Sequence, residues 1–210
     1  MHVAELWRYP VKGLRGEQLT EVEVLPDGLF GDRACQVRTD NGNLHTARTK
    51  PALLGLAALT DHDGMPLVEG ARWDSGHAAA AVRGAAGDEA VLRPSSSKRF
   101  DETPLLVATD GGIEALGIDG RRLRPNIVVG GVEGLSERDW VGRTLRAGEV
   151  EIEVLHVCER CVVTTFDPDT IEQDAGVLRM INDDFGGLAA LNCNVARPGR
   201  IAVGDPVELV

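Results

Sequence analysis

Short apolar runs, each followed by a turn rich in glycine, aspartate or proline, recur along the whole chain. Val150, Ile152 and Val154 alternate with polar residues, and an Asp-Asn-Gly turn stands at 40–42. An alternation of period two indicates strands with one buried face. The 25 glycines suit many tight turns, and strands do not alternate regularly with helices. We therefore predict a mainly β fold, a β-barrel with a few short helices, rather than a doubly wound sheet.

The composition changes between about residues 83 and 100, where turn-forming runs such as Ser95-Ser96-Ser97 replace the apolar ones. We expect an irregular connection there, between an N-terminal β-barrel-like region over residues 1–83 and a second region over 84–210. The runs 53–60 and 77–83 suit a strand or a short helix equally well. In the second region we predict a short helix over 174–181 and, from its β-branched residues, a strand over 162–166.

The charge balance limits the possible partners. A net charge of −11 disfavours binding to nucleic acid and to acidic membranes. The N-terminus shows no signal peptide, and no apolar stretch reaches transmembrane length. Four cysteines are too few for a disulfide scaffold, so a cytoplasmic location is expected. Basic residues stand in turn-like runs, either as solvated surface charges or as a positive pocket for a phosphate-bearing ligand: Lys12, Arg15, Arg33, Arg48, Arg121, Arg122 and Arg124.

Cys158 and Cys161 form a C-x-x-C pair whose chemistry the spacing leaves open. A thioredoxin-like redox pair needs its second cysteine in a helix, and the β-branched run after Cys161 argues against one. Structural zinc needs four ligands, and His156 with Cys193 is the available completion. A single metal-ligating thiolate is the third possibility. We favour Cys161 for that role, because Arg160 precedes it and a neighbouring positive charge favours the thiolate.

Three further segments combine basic side chains with turns. Arg124 and Asn126 flank Pro125, and because a proline favours an extended residue before it, both side chains are expected on one side of a strand entry. Lys12 lies in the glycine-containing run 8–17, which is not a P-loop. Arg33 follows a Gly-Asp turn, and an Asp32–Arg33 surface pair is the simpler interpretation there. No hydrolase motif is present.

The order of these segments resembles the MOSC family, which includes the C-terminal domain of molybdenum cofactor sulfurase. The matching motifs run Tyr-Pro-Val-Lys-Gly, Gly-Asp-Arg, Thr-Ala-Arg, Arg-Pro-Asn-Ile, Arg-Cys-x-x-Thr-Thr-x-Asp-Pro and Val-Gly-Asp-Pro-Val. Within the family the chain resembles the mitochondrial amidoxime-reducing components and their bacterial counterparts. The resemblance implies a MOSC N-terminal β-barrel region followed by a MOSC domain.

The resemblance also implies a molybdenum cofactor, molybdopterin, and assigns residues to it. Cys161 is the expected molybdenum ligand and catalytic residue. The pterin and its phosphate are expected to be bound by Lys12, Arg33, Arg48, Thr103, Arg124 and Asn126. Two positions depart from the family pattern. Gly13 stands where a serine is frequent, and Glu159 stands in the C-x-x-C where a small polar residue is common.

Two functions follow from the resemblance. The first is an oxidoreductase that reduces N-hydroxylated or related small molecules with electrons from a separate donor protein. The alternative is a carrier that uses Cys161 to hold a persulfide or the cofactor without turnover. The family's association with pyridoxal-phosphate desulfurases makes a sulfur-donating desulfurase its partner and pyridoxal phosphate binding an associated expectation. Structural zinc without catalysis remains the third possibility.

Overall fold

The computed structural model describes residues 1–95 and 99–210, so Ser96 and Ser97 of the predicted turn lie outside the described residues. Strands dominate the fold, which confirms the mainly β prediction. In chain order the strands are β1 (His2–Arg8), β2 (Val11–Lys12), β3 (Glu17–Leu19), β4 (Glu21–Leu25), β5 (Gly28–Leu29), β6 (Cys35–Thr39), β7 (Leu44–His45), β8 (Ala58–Thr60), β9 (Pro66–Val68), β10 (Ala71–Arg72), β11 (Ala90–Pro94), β12 (Leu105–Thr109), β13 (Ile127–Gly130), β14 (Thr144–Ala147), β15 (Val150–Glu159), β16 (Leu188–Arg197), β17 (Gly199–Ala202) and β18 (Val207–Leu209).

The largest sheet has eight strands in the order β18-β14-β15-β16-β12-β13-β1-β3. All its pairs are antiparallel except β12 with β13. The sheet curls until β18 at one edge meets β1, the strand next to the other edge, since His2 pairs with Pro206 and Val207 N–H donates to the Met1 carbonyl at 3.0 Å. The predicted alternation holds in β15, where Val150, Ile152 and Val154 face the core enclosed by this sheet and by β4 and β17.

A second core lies within the N-terminal half of the chain. There β11, β6 and β2 form one sheet, with β7 beside β6, and β10, β9 and β8 form another. Helix α1 (Gly76–Ala86) packs Ala78, Val82 and Ala86 into the same core. The strand β11 runs through the stretch that we expected to be an irregular connection, because Ala90 to Pro94 pair with β6.

Helices are few and short, as predicted. Besides α1, the chain has α2 (Asp110–Leu116) and α3 (Ala175–Phe185). Short 3₁₀ helices cover Pro51–Gly55, Gly120–Leu123, Ser136–Trp140 and Val162–Thr165. The two ambiguous runs are thus resolved as a 3₁₀ turn followed by β8, and as α1. None of the helices in the described parts of the chain is both long and apolar enough to span a bilayer.

Two local predictions were wrong. Val162–Thr165 is a 3₁₀ helix and not a strand, because the Thr164 and Thr165 hydroxyls donate to carbonyls three residues back, at 2.8 and 2.6 Å. Threonine can close a turn in this way despite its β-branched side chain. Arg124 is left-handed rather than extended, with φ of 58°. It ends the 3₁₀ helix Gly120–Leu123, and its N–H donates to the Arg121 carbonyl.

Candidate functional site

A cavity with an empty volume of about 950 Å³ is lined by side chains from both halves of the chain. Six basic side chains line it against three acidic ones, in a chain whose net charge is −11. The cavity therefore concentrates positive charge where the rest of the surface is acidic. The structure brings all seven residues singled out from the sequence to this cavity: Lys12, Arg33, Arg48, Thr103, Arg124, Asn126 and Cys161.

Cys161 stands where β15 has ended and the 3₁₀ helix Val162–Thr165 begins, so its half-buried thiol faces the cavity. Arg48 reaches this thiol from the loop after β7. The hydrogen bond with Cys161 is the main reason that the pKa of the Arg48 guanidinium is raised, against the opposing effect of its burial. Arg48 therefore places a positive charge next to the Cys161 sulfur, a soft donor atom suited to metals that bind sulfur.

The second thiol of the pair, Cys158, has its own arginine. Arg160 Nη1 donates to Cys158 Sγ at 3.3 Å, and Arg160 Nη2 donates to the Leu123 carbonyl at 2.7 Å. We expected Arg160 to act on Cys161, and this was wrong, because Arg160 contacts Cys158 instead. Burial raises the pKa of the Cys158 thiol, while the charge and hydrogen bond of Arg160 oppose that rise.

A carboxylate joins two of the basic residues. Asp101 Oδ1 lies 2.7 Å from Lys12 Nζ, and Asp101 Oδ2 lies 3.1 Å from Arg48 Nη2. Burial would raise the pKa of Asp101, but the hydrogen bond from Lys12 and the nearby cations outweigh it, so the pKa lies below its ordinary value. Lys12 and Arg48 are thus already placed to hold an anionic group between them. Asp101 was not identified from the sequence, although the resemblance pointed to Thr103 two positions later.

Tyr9 is held between two guanidinium groups. The Cζ of Arg33 lies 4.6 Å from the ring centroid and the Cζ of Arg124 lies 4.2 Å from it. Arg124 also donates to the Leu14 carbonyl at 2.7 Å. Burial raises the pKa of Tyr9 to about 12 and lowers that of Arg124 to about 10. Such stacking fixes both guanidinium groups at the cavity wall.

Asp32 is fully buried, so the predicted Asp32–Arg33 surface pair is instead an internal one. Its carboxylate accepts from the Tyr9 N–H at 2.7 Å, from Arg33 Nη1 and from Asn126 Nδ2 at 3.2 Å. The Asn126 side chain also accepts from the Leu106 N–H at 3.1 Å. The Asn126 amide therefore lines the cavity, but it is already hydrogen-bonded to other groups of the protein. In the sequence the Gly-Asp-Arg motif singled out Arg33. In the structure Asp32 of the same motif is the residue that hydrogen-bonds Tyr9, Arg33 and Asn126.

Polar side chains form a small network at another part of the lining. Thr103 Oγ1 donates to Asn192 Oδ1 at 3.1 Å, and Asn192 Nδ2 donates to Glu102 Oε2 at 2.6 Å. His156 Nε2 lies 2.9 Å from the same Glu102 oxygen, and the His156 and Glu102 side chains are each 51% exposed. This imidazole–carboxylate pair can hold and release a proton at the solvent side of the site. The sequence gave no sign of this network, because its members other than the neighbours Glu102 and Thr103 are more than 30 positions apart.

The alternative uses of the cysteines have different geometries. Cys193 is fully buried in the core of the large sheet and so lies apart from the cavity that Cys158 and Cys161 line. Within residues 1–95 and 99–210, the grouping of three potential ligands close enough to share a metal ion is Asp61, His62 and Asp63, on an exposed loop elsewhere. The zinc site considered from the sequence is therefore not preformed.

Comparisons with known proteins agree with this architecture. The family model described as "MOSC domain" matches residues 102–208, and that described as "MOSC N-terminal beta barrel domain" matches residues 1–110. Mitochondrial amidoxime-reducing component 1 of Mus musculus is 26% identical, over 99% of this chain and 82% of that protein. Mitochondrial amidoxime reducing component 2 of Macaca fascicularis is 27% identical, over 98% and 82%.

The solved structures give the fold alone. The YuaD protein of Bacillus subtilis superposes with a TM-score of 0.51 at 12% identity, covering 99% of this chain and 94% of that one. This similarity supports a shared arrangement of strands and carries no statement about ligands.

Proposed function

We propose, from the premise that the chain belongs to the MOSC domain family, that it binds a molybdenum cofactor and reduces N-hydroxylated small molecules. One observation carries the proposal. The Cys161 thiol shares a single cavity with Lys12, Arg33, Arg48 and Arg124, which come from distant segments of the chain. We keep the division into a MOSC N-terminal β-barrel region over 1–83 and a MOSC domain over 84–210 as part of the proposal.

The residues present suit the chemistry of such a cofactor. Its metal is soft and its phosphate is anionic, and the cavity offers a thiol together with six basic side chains. The Nε of Arg160 is buried and has no hydrogen-bond partner among the described residues. A buried donor left unpaired costs free energy, so an acceptor on a bound ligand would satisfy it.

When bound, the cofactor would supply the two-electron removal of oxygen from nitrogen, and the protein supplies ligation, orientation and charge. Cys161 would ligate the metal through its sulfur, with the positive charge of Arg48 close to it. Lys12, Arg33 and Arg124 would bind the phosphate end. Lys12 and Arg48 are now joined by Asp101, so an incoming phosphate must displace that carboxylate.

Other residues would position these groups or handle protons. Asn126 would hold Asp32, which in turn orients Arg33, and Thr103 would hold Asn192. Reduction of an N–O bond to an amine and water consumes protons as well as electrons. The pair of His156 and Glu102 is the candidate source, because it lies at the solvent side and its members are 2.9 Å apart.

The electrons would come from a separate donor protein, as the resemblance implies. All four cysteines are free thiols, and we therefore place the protein in a reducing compartment such as the cytoplasm. The substrate class follows that of the relatives, which are amidoxime-reducing components.

Metal analysis of two matched variants tests the proposal. The chain should be expressed in a host that makes the cofactor, and molybdenum per chain measured for wild type, Cys161→Ala and Cys158→Ala. Both thiols line the same cavity, so the two variants differ only in which sulfur is lost. We expect molybdenum in wild type and Cys158→Ala and its loss in Cys161→Ala. Equal molybdenum in Cys161→Ala, or none in wild type, would refute the assignment.

A second measurement distinguishes a reductase, which turns over its substrate, from a carrier, which does not. Molybdenum-loaded protein should reduce benzamidoxime to benzamidine with a chemically reduced viologen as donor. A carrier would instead show no turnover and, after incubation with a desulfurase and cysteine, a reducible mass increase of about 32 Da on Cys161. Loading without turnover, together with that adduct, would replace the reductase proposal by the carrier.

A further inference from the structure

A second cavity, with an empty volume of about 540 Å³, adjoins the first, and Arg124 and Val163 line both. Its remaining wall is mostly apolar and aromatic, with Trp7, Tyr9 and Phe166. Neither Trp7 nor Phe166 has a role in the proposed function, so the cavity is unexplained by it.

The charges around this cavity are not balanced evenly. Among the described residues, four arginines and no acidic side chain line it. Arg121 is bonded by Asp119 and Asp169, and Arg122 by Asp167, so those two charges are compensated. Such pairs attract an added anion only weakly.

Arg15 differs from these two arginines. Its side chain is exposed at the cavity, and in the parts of the chain that the structure describes no carboxylate lies at ion-pair distance from it. The pKa of Asp169 is lowered chiefly by the hydrogen bond from Arg121, and the positive charge of Arg15 adds to this lowering. Arg15 is therefore a guanidinium with its hydrogen-bonding fork available to a ligand.

The aromatic wall is held in position before any ligand arrives. Trp7 Nε1 donates to Glu5 Oε2 at 2.6 Å, which fixes the indole. Gly16 lies flat against Tyr9, and a Cβ on Gly16 would stand 2.5 Å from Tyr9 Cε1. Fixed aromatic faces bind planar rings with little loss of side-chain entropy.

We propose that this cavity is a second ligand site, for a planar aromatic carboxylate. The ring system would lie against Trp7 and Phe166, and the carboxylate would accept hydrogen bonds from Arg15. A carboxylate matches the guanidinium fork of Arg15 in two parallel hydrogen bonds. Arg124, whose guanidinium stacks on Tyr9 and donates to the Leu14 carbonyl, adds a second positive charge to the same wall. The proposal does not depend on the molybdenum cofactor, since Arg15, Trp7 and Phe166 do not line the cavity that holds Cys161.

The test uses the full chain and 2-naphthoate, with neutral 2-naphthamide as its uncharged analogue. Binding is measured by calorimetry, and quenching of tryptophan fluorescence locates it. The chain has three tryptophans, and Trp7 is the one that lines this cavity. The variant Arg15→Gln removes the charge, and Arg179→Gln removes an exposed arginine elsewhere, on α3.

We expect saturable binding of 2-naphthoate to wild type and Arg179→Gln, and about tenfold weaker binding to Arg15→Gln, because solvent screening at the exposed Arg15 limits the loss of the charge-assisted pair. Naphthamide should bind wild type and Arg15→Gln equally. Trp7→Phe should keep the calorimetric signal and lose most of the quenching. Equal 2-naphthoate affinity in wild type and Arg15→Gln would overturn the proposal, as would no saturable binding, or binding that weakens in Lys12→Gln instead. Molybdenum content is measured in parallel, so failure of the proposed function shows separately.

Discussion

Arg160 Nη1 lies 3.3 Å from Cys158 Sγ, so the arginine that precedes Cys161 in the chain is directed at the other thiol of the pair. The two thiols therefore have different electrostatic environments within one cavity. Arg160 opposes the rise in the Cys158 pKa that burial causes, and Arg48 is bonded to Cys161. The C-x-x-C spacing alone gives no reason for this division.

We predict that Arg160→Gln makes Cys158 less reactive. Without the cation, burial acts on the thiol unopposed by Arg160, so its pKa rises further and less thiolate is present at a given pH. Alkylation by iodoacetamide should be followed by mass spectrometry against pH, in a Cys161→Ala background. The midpoint of the rate profile should move to higher pH, and rates below it should fall several-fold. An unchanged midpoint, with Arg179→Gln as reference, would contradict the contact.

Asp101→Asn is predicted to strengthen the binding of phosphate-bearing anions. Asp101 now pairs with both Lys12 and Arg48, at 2.7 and 3.1 Å, and competes with any anion for them. Its side chain is 57% exposed, so solvent screening limits each pair, and roughly a two- to tenfold gain in pyrophosphate affinity is expected. Calorimetry on the cofactor-free chain measures it. Asp74→Asn, which removes an exposed partner of Arg72, is the control and should leave the affinity unchanged.

Two glycine-to-alanine changes should have opposite effects on stability. At Gly16 a Cβ would stand 2.5 Å from Tyr9 Cε1 and 2.9 Å from the Arg8 carbonyl oxygen, so Gly16→Ala must displace the ring and lose about 1–3 kcal/mol. Gly84 lies in α1 with open space around it, so Gly84→Ala should gain about 0.5–1 kcal/mol. Urea unfolding of both variants checks the pair. If Gly16→Ala leaves the free energy of unfolding unchanged, the Tyr9 ring is not packed tightly against Gly16.

The sequence predicted the parts of the molecule that depend on local periodicity. Val150, Ile152 and Val154 alternate and do face one core, and the family resemblance identified seven of the residues that line the cavity. Local patterns failed where a distant group decides the conformation. Arg124 was expected to be extended before Pro125, yet its guanidinium reaches the Tyr9 ring and the Leu14 carbonyl, 110 positions away. Those contacts stabilise a backbone conformation that a non-glycine residue rarely adopts.

Charged residues were the other source of error. Asp32 and Arg33 read as a surface pair, because two adjacent opposite charges usually are one. In the structure the chain turns inward there, and Asp32 accepts hydrogen bonds from Tyr9 and Asn126 that lie 23 and 94 positions away. Burial of a carboxylate is acceptable only when such partners satisfy it, and a single sequence does not reveal which partners the fold will supply.

The remaining prediction concerns Glu137, a buried carboxylate that lines neither of the two cavities for which a ligand is proposed. It is 4% exposed, and its Oε2 has no hydrogen-bond partner among residues 1–95 and 99–210. Burial raises its pKa, although hydrogen bonds from its own N–H and from Thr109 oppose the rise. A carboxyl group whose pKa is higher in the folded than in the unfolded state contributes stability below the unfolded pKa. That contribution is lost as the pH rises through the folded pKa.

Glu137→Gln should therefore gain stability relative to wild type as the pH increases. At about pH 4 the wild-type side chain is largely protonated and the two proteins should be similar, whereas at about pH 8 only the wild type carries the buried charge. The free energy of unfolding from urea titrations at both pH values gives the difference. Glu114→Gln, at an exposed position on α2, reports the effect of losing one surface charge. A gain at high pH no larger than that of Glu114→Gln would show that the Glu137 carboxylate is better solvated than its surroundings indicate.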